Sequence, residues 1–369
     1  MRTKVFAAYL PQYHVIPEND KFWGKGYTDW IATKNATPQY QGHIQPRVPL
    51  DKNYYDLTDI ETIKWQTKLA REYRVDGFNI YHYWFENSHK VLEKPAEILL
   101  KHPEVDIEYF FSWDNTSWRS GSWTSIFGKE NKRNIKYETL LKVDYGNEDE
   151  WKRHFDYLLP FFLDRRYMKI DGKPVFALMR TADEQILIAM KEKWNLWALK
   201  NGLGGVHMIS GARVGFNHNV LDGLFEYQPR IAAWGRREAI EKALGRFVNI
   251  TNLGHKKYYY DYDKVWQRII KDARRHINSR TYFSGVVKFD DTPRRGEKAR
   301  ILLNSNPEKF EKYFSRLYQM CNDAGKELLL LTAWNEWGEG ACLEPDTVDG
   351  YTYLEALKRV LEGSKTYVQ

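Results

Sequence analysis

The chain has 369 residues, 43% of them hydrophobic and 28% charged, a balance that gives a sizeable core and excludes a disordered chain. A net charge of +7 permits an anionic partner, yet the basic residues lie in short clusters such as Arg236-Arg237, Arg274-Arg275 and Arg294-Arg295, so no nucleic-acid partner is expected. Two cysteines, Cys321 and Cys342, cannot alone build a disulfide framework or a four-ligand zinc site, and no cofactor or metal is called for. The composition departs from the ordinary in its aromatics: 14 Trp, 25 Tyr and 18 Phe supply core area, and flat rings equally suit the faces of sugars.

In chain order, the opening MRTKVFAAYLPQYH is strand-like. Its apolar stretch is too short and ends too polar for a signal peptide, and no later stretch approaches a membrane span. A cytoplasmic location is expected. Short apolar runs then recur at 5–10, 77–84, 107–113, 175–180, 206–212, 223–228, 282–289 and 328–334. Between them the spacing predicts helices at 57–73, 149–164, 183–202, 306–325 and 351–363, with Asp59 near the start of the first and Gly202 and Gly325 at C-terminal ends. Eight buried-type strands alternating with helices read as a (β/α)8 TIM barrel, one catalytic domain over 1–369 with extended loops at its C-terminal face. A doubly wound open sheet is the alternative, but no glycine-rich phosphate loop follows any strand.

Active sites in such barrels lie where the strands' C-terminal ends meet. There the sequence places Tyr9 and His14 after strand one, followed by WGKGYTDW with Trp23. His82 and Trp84 close strand two, and SWDNTSW with Trp113, Asn115 and Trp118 closes strand three. Tyr227 ends strand six, Asp290 ends strand seven, and Trp334, Asn335 and Trp337 end strand eight. All are candidate substrate-binding residues, and Trp23, Trp84, Trp113 or Trp118 is expected to stack on sugar. Other readings stay open: His82 as a core histidine, Asp290-Asp291 as a cap, and the tryptophans as core.

Glu336 and Glu339, within WNEWGEG, are the candidate catalytic pair. Carboxylates are rarely buried without a partner. In a continuing strand, residues three apart point to opposite faces. Gly338 and Gly340 allow a sharp turn, and in a helical turn such residues are neighbours about 5–6 Å apart at Cβ. Two carboxyls roughly 5 Å apart suit retaining glycoside hydrolysis, with apolar neighbours separating their pKa values.

YLPQYHVIPENDKFWGKGYTDW (9–30), REYRVDGFNIYHYWF (71–85), YLLPFFLDRRYMKIDGKPVF (157–176), FDDTPRR and WNEWGEG resemble the WbsX-type polysaccharide-locus proteins labelled glycosyltransferases. These in turn are similar to glycoside hydrolase family 99, the endo-α-mannosidases. The resemblance runs nearly end to end and implies a barrel with a carbohydrate site. It also implies retention without a carboxylate nucleophile. Glu336 would act as base on the sugar's own 2-hydroxyl, giving a 1,2-anhydro sugar, and Glu339 as acid and then base. One departure is plain: related proteins commonly carry a WANENW-like stretch where this chain has WDNTSW, so Thr116 stands at the acid's position. Little in 237–280 matches.

The expected function is a retaining glycosidase acting on α-manno- or α-rhamno-configured linkages of a surface polysaccharide or its precursor, with an oligosaccharide or polysaccharide as partner. The alternatives are a glycosyltransferase, in which Asp290-Asp291 and Arg294-Arg295 would meet a metal-diphosphate, or a non-catalytic glycan-binding protein.

Overall fold

A computed structural model describes residues 2–120, 138–180, 183–211, 221–235 and 258–363. Eight parallel strands form a ring: β1 Lys4–Tyr9, β2 Gly77–His82, β3 Glu108–Trp113, β4 Lys173–Leu178, β5 His207–Gly211, β6 Gly223–Phe225, β7 and β8 Leu328–Thr332. Strand β7 runs in two segments, Thr281–Tyr282 and Ser284–Val286. The first segment pairs with β6 and the second with β8. Strand β8 returns to β1 in the register Lys4↔Leu328, which closes the ring.

These runs form strands because they are buried on both faces, as parallel strands under a coat of helices must be. The eight apolar runs of the sequence each overlap one. The end of the fifth, Ala212, lies outside the described residues, as do the Arg236-Arg237 pair and 238–257.

The coat consists of α1 Ile60–Glu72, α2 Lys94–Lys101, α3 Glu148–Leu163, α4 Glu184–Lys200, α5 Tyr262–His276, α6 Pro307–Asp323 and α7 Thr352–Leu361. Side chains at the expected starts cap the backbone: Asp59 accepts from Glu61 N, Asp183 from Gln185 N and Ile186 N, and Asn306 from Lys309 N. Helices α2 and α5 fall outside the five predicted. Helix α5 buries Tyr262, Val265, Trp266, Ile269, Ile270 and Ala273, a clean helical stripe hidden in the sequence by the charged residues between them. Each large apolar side chain so buried contributes on the order of 2 kcal/mol.

Extra length gathers in the loops at the strands' C-terminal ends. The loop after β1 carries short helices at Pro17–Trp23 and Asp29–Lys34, and the loop after β7 carries one at Thr292–Arg295. The loops after β6 and β7 are tied by a parallel ladder of Tyr258–Asp261 with Arg300–Leu303. No helix among the described residues is long and apolar enough to cross a membrane.

Candidate active site

After β8 the chain makes a hairpin in which Asn335–Glu336 pairs antiparallel with Ala341–Cys342. A single 3-10 turn, Trp337–Glu339, lies between them. The Asn335 side chain accepts from Leu10 N at 2.7 Å and donates to Leu10 O at 3.0 Å, pinning the hairpin to the end of β1. The Tyr13 hydroxyl donates to Asn335 O at 2.6 Å and accepts from Trp337 N at 3.1 Å. Gly340 sits at φ 55, where a side chain would be strained. At Gly338 a Cβ would strike the Asp29 carboxylate and the Arg294 guanidinium. The two glycines therefore bend the strand and let an arginine lie against its backbone.

Arg294, from the short helix after β7, is the centre of the arrangement. Its Nη2 lies 2.9 Å from Glu336 Oε2 and 3.1 Å from Asp29 Oδ2, and its Nη1 lies 3.1 Å from Glu339 Oε1. Two nitrogens of one planar guanidinium thus hold the two glutamates, one charge-assisted contact to each. The carboxylates differ in exposure: the Glu336 side chain is 3% accessible and that of Glu339 is 22%. Burial pushes Glu336 up to about 8; Arg294 opposes the shift, while Glu339 and Asp29 add to it. Tyr81 donates its hydroxyl to that of Tyr227 at 3.0 Å, and Tyr227 donates to Glu339 Oε2 at 3.4 Å. The Asp290 N–H donates to Glu339 O at 2.7 Å, joining the loops after β7 and β8.

The two glutamates line a cavity of about 460 Å³ at the C-terminal face. Trp118 and Tyr227 also line it, as do Tyr81 and Tyr83 from the end of β2 and Trp234 from the loop after β6. Asp291 lies there too, with its carboxyl pushed up to about 7 by burial and Arg295 opposing. Thr116 lines the cavity together with Asp114, so the loop after β3 still brings one carboxyl to it. Burial raises the Asp114 pKa, and a hydrogen bond from Thr116 works against the rise. A second hollow of about 490 Å³, lined by Trp337, Tyr55 and Glu344, lies behind the turn. There Trp337 Nε1 and the Tyr55 hydroxyl each donate to Glu344 at 2.7 Å.

Of the sequence candidates, Glu336, Glu339, Tyr227 and Trp118 share the main cavity. Trp23 backs it, edge-on to Trp118 with ring centres 5.6 Å apart. Asn335 clamps the hairpin, and Asn115 clamps the backbone of Arg180, accepting from its N at 2.8 Å and donating to its O at 2.7 Å. Asp290 accepts from Gln45 at 2.6 Å and lies 2.7 Å from His43. The remaining candidates pack behind the wall. Tyr9 donates to Gln66 at 2.8 Å, and Trp334 packs its ring 5.2 Å from Phe78. His14 is buried, which lowers its pKa to about 4. His82 meets His154 of α3 Nε2 to Nε2 at 2.8 Å. Trp84 stacks on His154 at 4.3 Å, and Trp113 donates to Trp84 O at 3.1 Å.

Sequence reasoning missed Asp29, Tyr81, Tyr83 and Asp114, and it gave Arg294 a role only in the transferase alternative, as a phosphate ligand, whereas three carboxylates hold it. Strand parity was the available signal for the tyrosines: Tyr81 and Tyr83 face the cavity, while His82 and Trp84 alternate with them toward α3. Among the described residues no group of three or more His, Cys, Asp or Glu is placed to hold a metal ion.

A family described as Glycosyltransferase WbsX matches residues 5–357. Two curated relatives from Xanthomonas campestris pv. campestris, both called uncharacterized protein WxcX, are 28% identical over 96% of this chain and 49% of their own length. The chain thus spans about half the length of the curated relatives it matches. Among solved structures it is similar to a family GH99 endo-alpha-mannosidase from Bacteroides thetaiotaomicron, at TM-score 0.56 and 14% identity over 97% of this chain and 96% of that one. It is also similar to a glycoside hydrolase-like protein, at TM-score 0.60 and 12% identity over 97% and 94%. At such identities these likenesses show the fold, a TIM barrel.

Proposed function

This chain belongs to the Glycosyltransferase WbsX family, and from that premise we propose that it is a carbohydrate-active enzyme that hydrolyses α-manno- or α-rhamno-configured linkages of a surface polysaccharide or its precursor, with retention. One observation carries the reading: a single guanidinium, Arg294, holds Glu336 and Glu339 side by side on the floor of a cavity at the barrel's C-terminal face. A structural ion pair needs one carboxylate, not two of unequal burial facing open space beside aromatic rings. The GH99 endo-alpha-mannosidase it resembles in fold supports the substrate class.

In the proposed reaction Glu336 takes the proton of the sugar's 2-hydroxyl. O2 bonds to the anomeric carbon from the face opposite the leaving group, the glycosidic bond breaks, and Glu339 protonates the departing oxygen. Water then attacks the anomeric carbon of the 1,2-anhydro sugar, Glu339 takes its proton, and Glu336 returns the first proton to O2. Two inversions give retention. Opposed O2 and leaving group occur in α-linked manno and rhamno sugars, not in α-glucosides.

Glu336, raised to about 8, holds a proton at neutral pH, so as base it works from the fraction that has lost it. Activity on the substrate at limiting concentration should therefore climb up to about pH 8. A rate that is flat below pH 8 and falls above it would assign Glu336 the acid role and exchange the two glutamates.

The decisive experiment incubates the protein with manno- and rhamno-oligosaccharides, with and without nucleotide sugars. Products are followed by mass spectrometry, and the first-formed anomer by NMR. An α product without added nucleotide sugar, and none from 2-deoxy or 2-O-methyl substrates, is the expected result. An inverted anomer or full 2-deoxy activity would end the mechanism, and products only with nucleotide sugar would establish the transferase that the family's description names.

A further inference from the structure

The same cavity has a second chemical side. Arg180 at the end of β4, Arg230 after β6, and Arg295 and Arg300 after β7 converge on its mouth. Tyr81 at the end of β2, Tyr83 just after it and Trp118 from the loop after β3 line it too. The arginines are not randomly placed surface charge. Asn115 grips the Arg180 backbone by both its N–H and its carbonyl. The Arg300 guanidinium lies 4.7 Å over the Trp234 ring, which fixes its plane, and its own strand is laddered to Tyr258–Asp261. Arg295 leans on Asp291 at 2.7 Å, and Arg300 N donates to the same carboxylate at 2.6 Å.

We propose that this rim is an anion subsite that takes a carboxylate or phosphate group carried by the glycan next to the sugar being cleaved. The placement beside the cleaved sugar rests on the glycosidase reading above; the anion site itself does not. Planar guanidinium forks converging from three loops match the oxygens of carboxylate and phosphate, whose charge and paired oxygens a neutral glycan lacks. Arg294 is not part of this site, because three carboxylates surround it on the floor. Nor does the floor cancel the rim. Burial raises Asp291 and Glu336 to about 7 and 8, so near neutral pH each carries less than a full negative charge. The two sources of such a group are an acidic sugar within the polysaccharide and the diphosphate of an activated precursor.

The test uses the full chain bearing Glu339→Gln, so that binding is read without turnover. Pyrophosphate, methyl α-D-glucuronide and neutral methyl α-D-glucoside are titrated calorimetrically at low and high salt. At least one anion should bind tenfold or more tightly than the glucoside, weaken as salt screens the exposed rim, and lose at least tenfold in Arg180→Met and in Arg230→Met. Preference for pyrophosphate assigns the group to an activated precursor, and preference for the glucuronide to an acidic sugar. Equal binding of all three probes, or anion binding that salt and both substitutions leave unchanged, would overturn the proposal. Should the Met variants fail to fold, the salt dependence and the anion-to-neutral ratio of the parent decide. Loss of the hydrolase reading would appear separately, as intact anion binding in a wild-type protein that cleaves no glycan.

Discussion

Two places in this barrel bury ionisable groups among aromatic rings at the ends of strands, and they behave differently. One is the turn from Glu336 to Gly340. The other is the block in which His82, Trp84 and Trp113 pack against His154 behind β2 and β3. Burial perturbs both strongly: Glu336 rises to about 8, and His82 falls to about 3. Yet His82 and His154 satisfy one another and face protein on every side, whereas Glu336 and Glu339 share a charged partner and open onto a cavity. A displaced pKa therefore reports burial and neighbouring charge, and does not mark a site by itself. Space in front of the group and a partner that orients it are what distinguish a candidate site from a well-packed core.

The comparison breaks or sharpens under substitution. The largest effect is expected for Glu339→Gln, which keeps the shape and removes the proton: turnover should drop by roughly 10²–10⁴-fold with glycan binding and melting temperature retained. Unchanged turnover in a folded protein would remove Glu339 from the reaction. Arg294→Met strands Asp29, Glu336 and Glu339 together without their cation. Breaking a buried pair in this way costs about 3–5 kcal/mol, to be read by denaturant unfolding. Relief at acidic pH, where the carboxyls take up protons, should accompany it. In the packed block, Trp84→Ala should cost a similar 3–5 kcal/mol through its cavity, while turnover per folded molecule stays near wild type. Lost turnover with full stability would move that block into the site.

The two regions should also push stability in opposite directions with pH. Glu336 has its folded value raised from about 4.5 to about 8, so its contribution is complete at low pH and is lost as pH climbs through that window. His82, lowered from 6.5 to about 3, contributes above 6.5 and loses its share as pH falls. Glu336→Gln should flatten the alkaline limb of a melting-temperature profile and leave the acid limb alone; a change in the acid limb only would contradict this. The smallest effect belongs to Trp118→Ala. As a cavity-lining ring backed by Trp23, it should lower glycan affinity by roughly 0.5–1.5 kcal/mol with little change in melting temperature. An unfolded variant would place Trp118 with the core instead.

Much of this was open to a reader of the sequence. The eight apolar runs are long enough and regular enough that each strand announces itself, and side-chain caps such as Asp183 and Asn306 mark helix starts locally. WNEWGEG makes the sharp turn expected of it, with Gly338 between the two glutamates and Gly340 just after them. Helix α5 escaped because charged residues crowd its exposed face, although its buried positions keep a helical period.

What the chain alone determined, then, was the series of strands and the turn that carries the glutamates, because both depend on neighbours in sequence. Which side of each strand end meets the cavity was decided only in three dimensions. Parity groups Tyr81 with Tyr83 and His82 with Trp84, but a barrel strand is buried on both faces, so the sequence does not say which pair meets the cavity. Only closure of the ring, with α3 packed outside it, turns one pair to the cavity and the other to the core. The partnership of Arg294 with Asp29, Glu336 and Glu339 is of the same kind. It joins residues from the loops after β1, β7 and β8, and no local rule of the chain connects charges 265 and 42 positions apart.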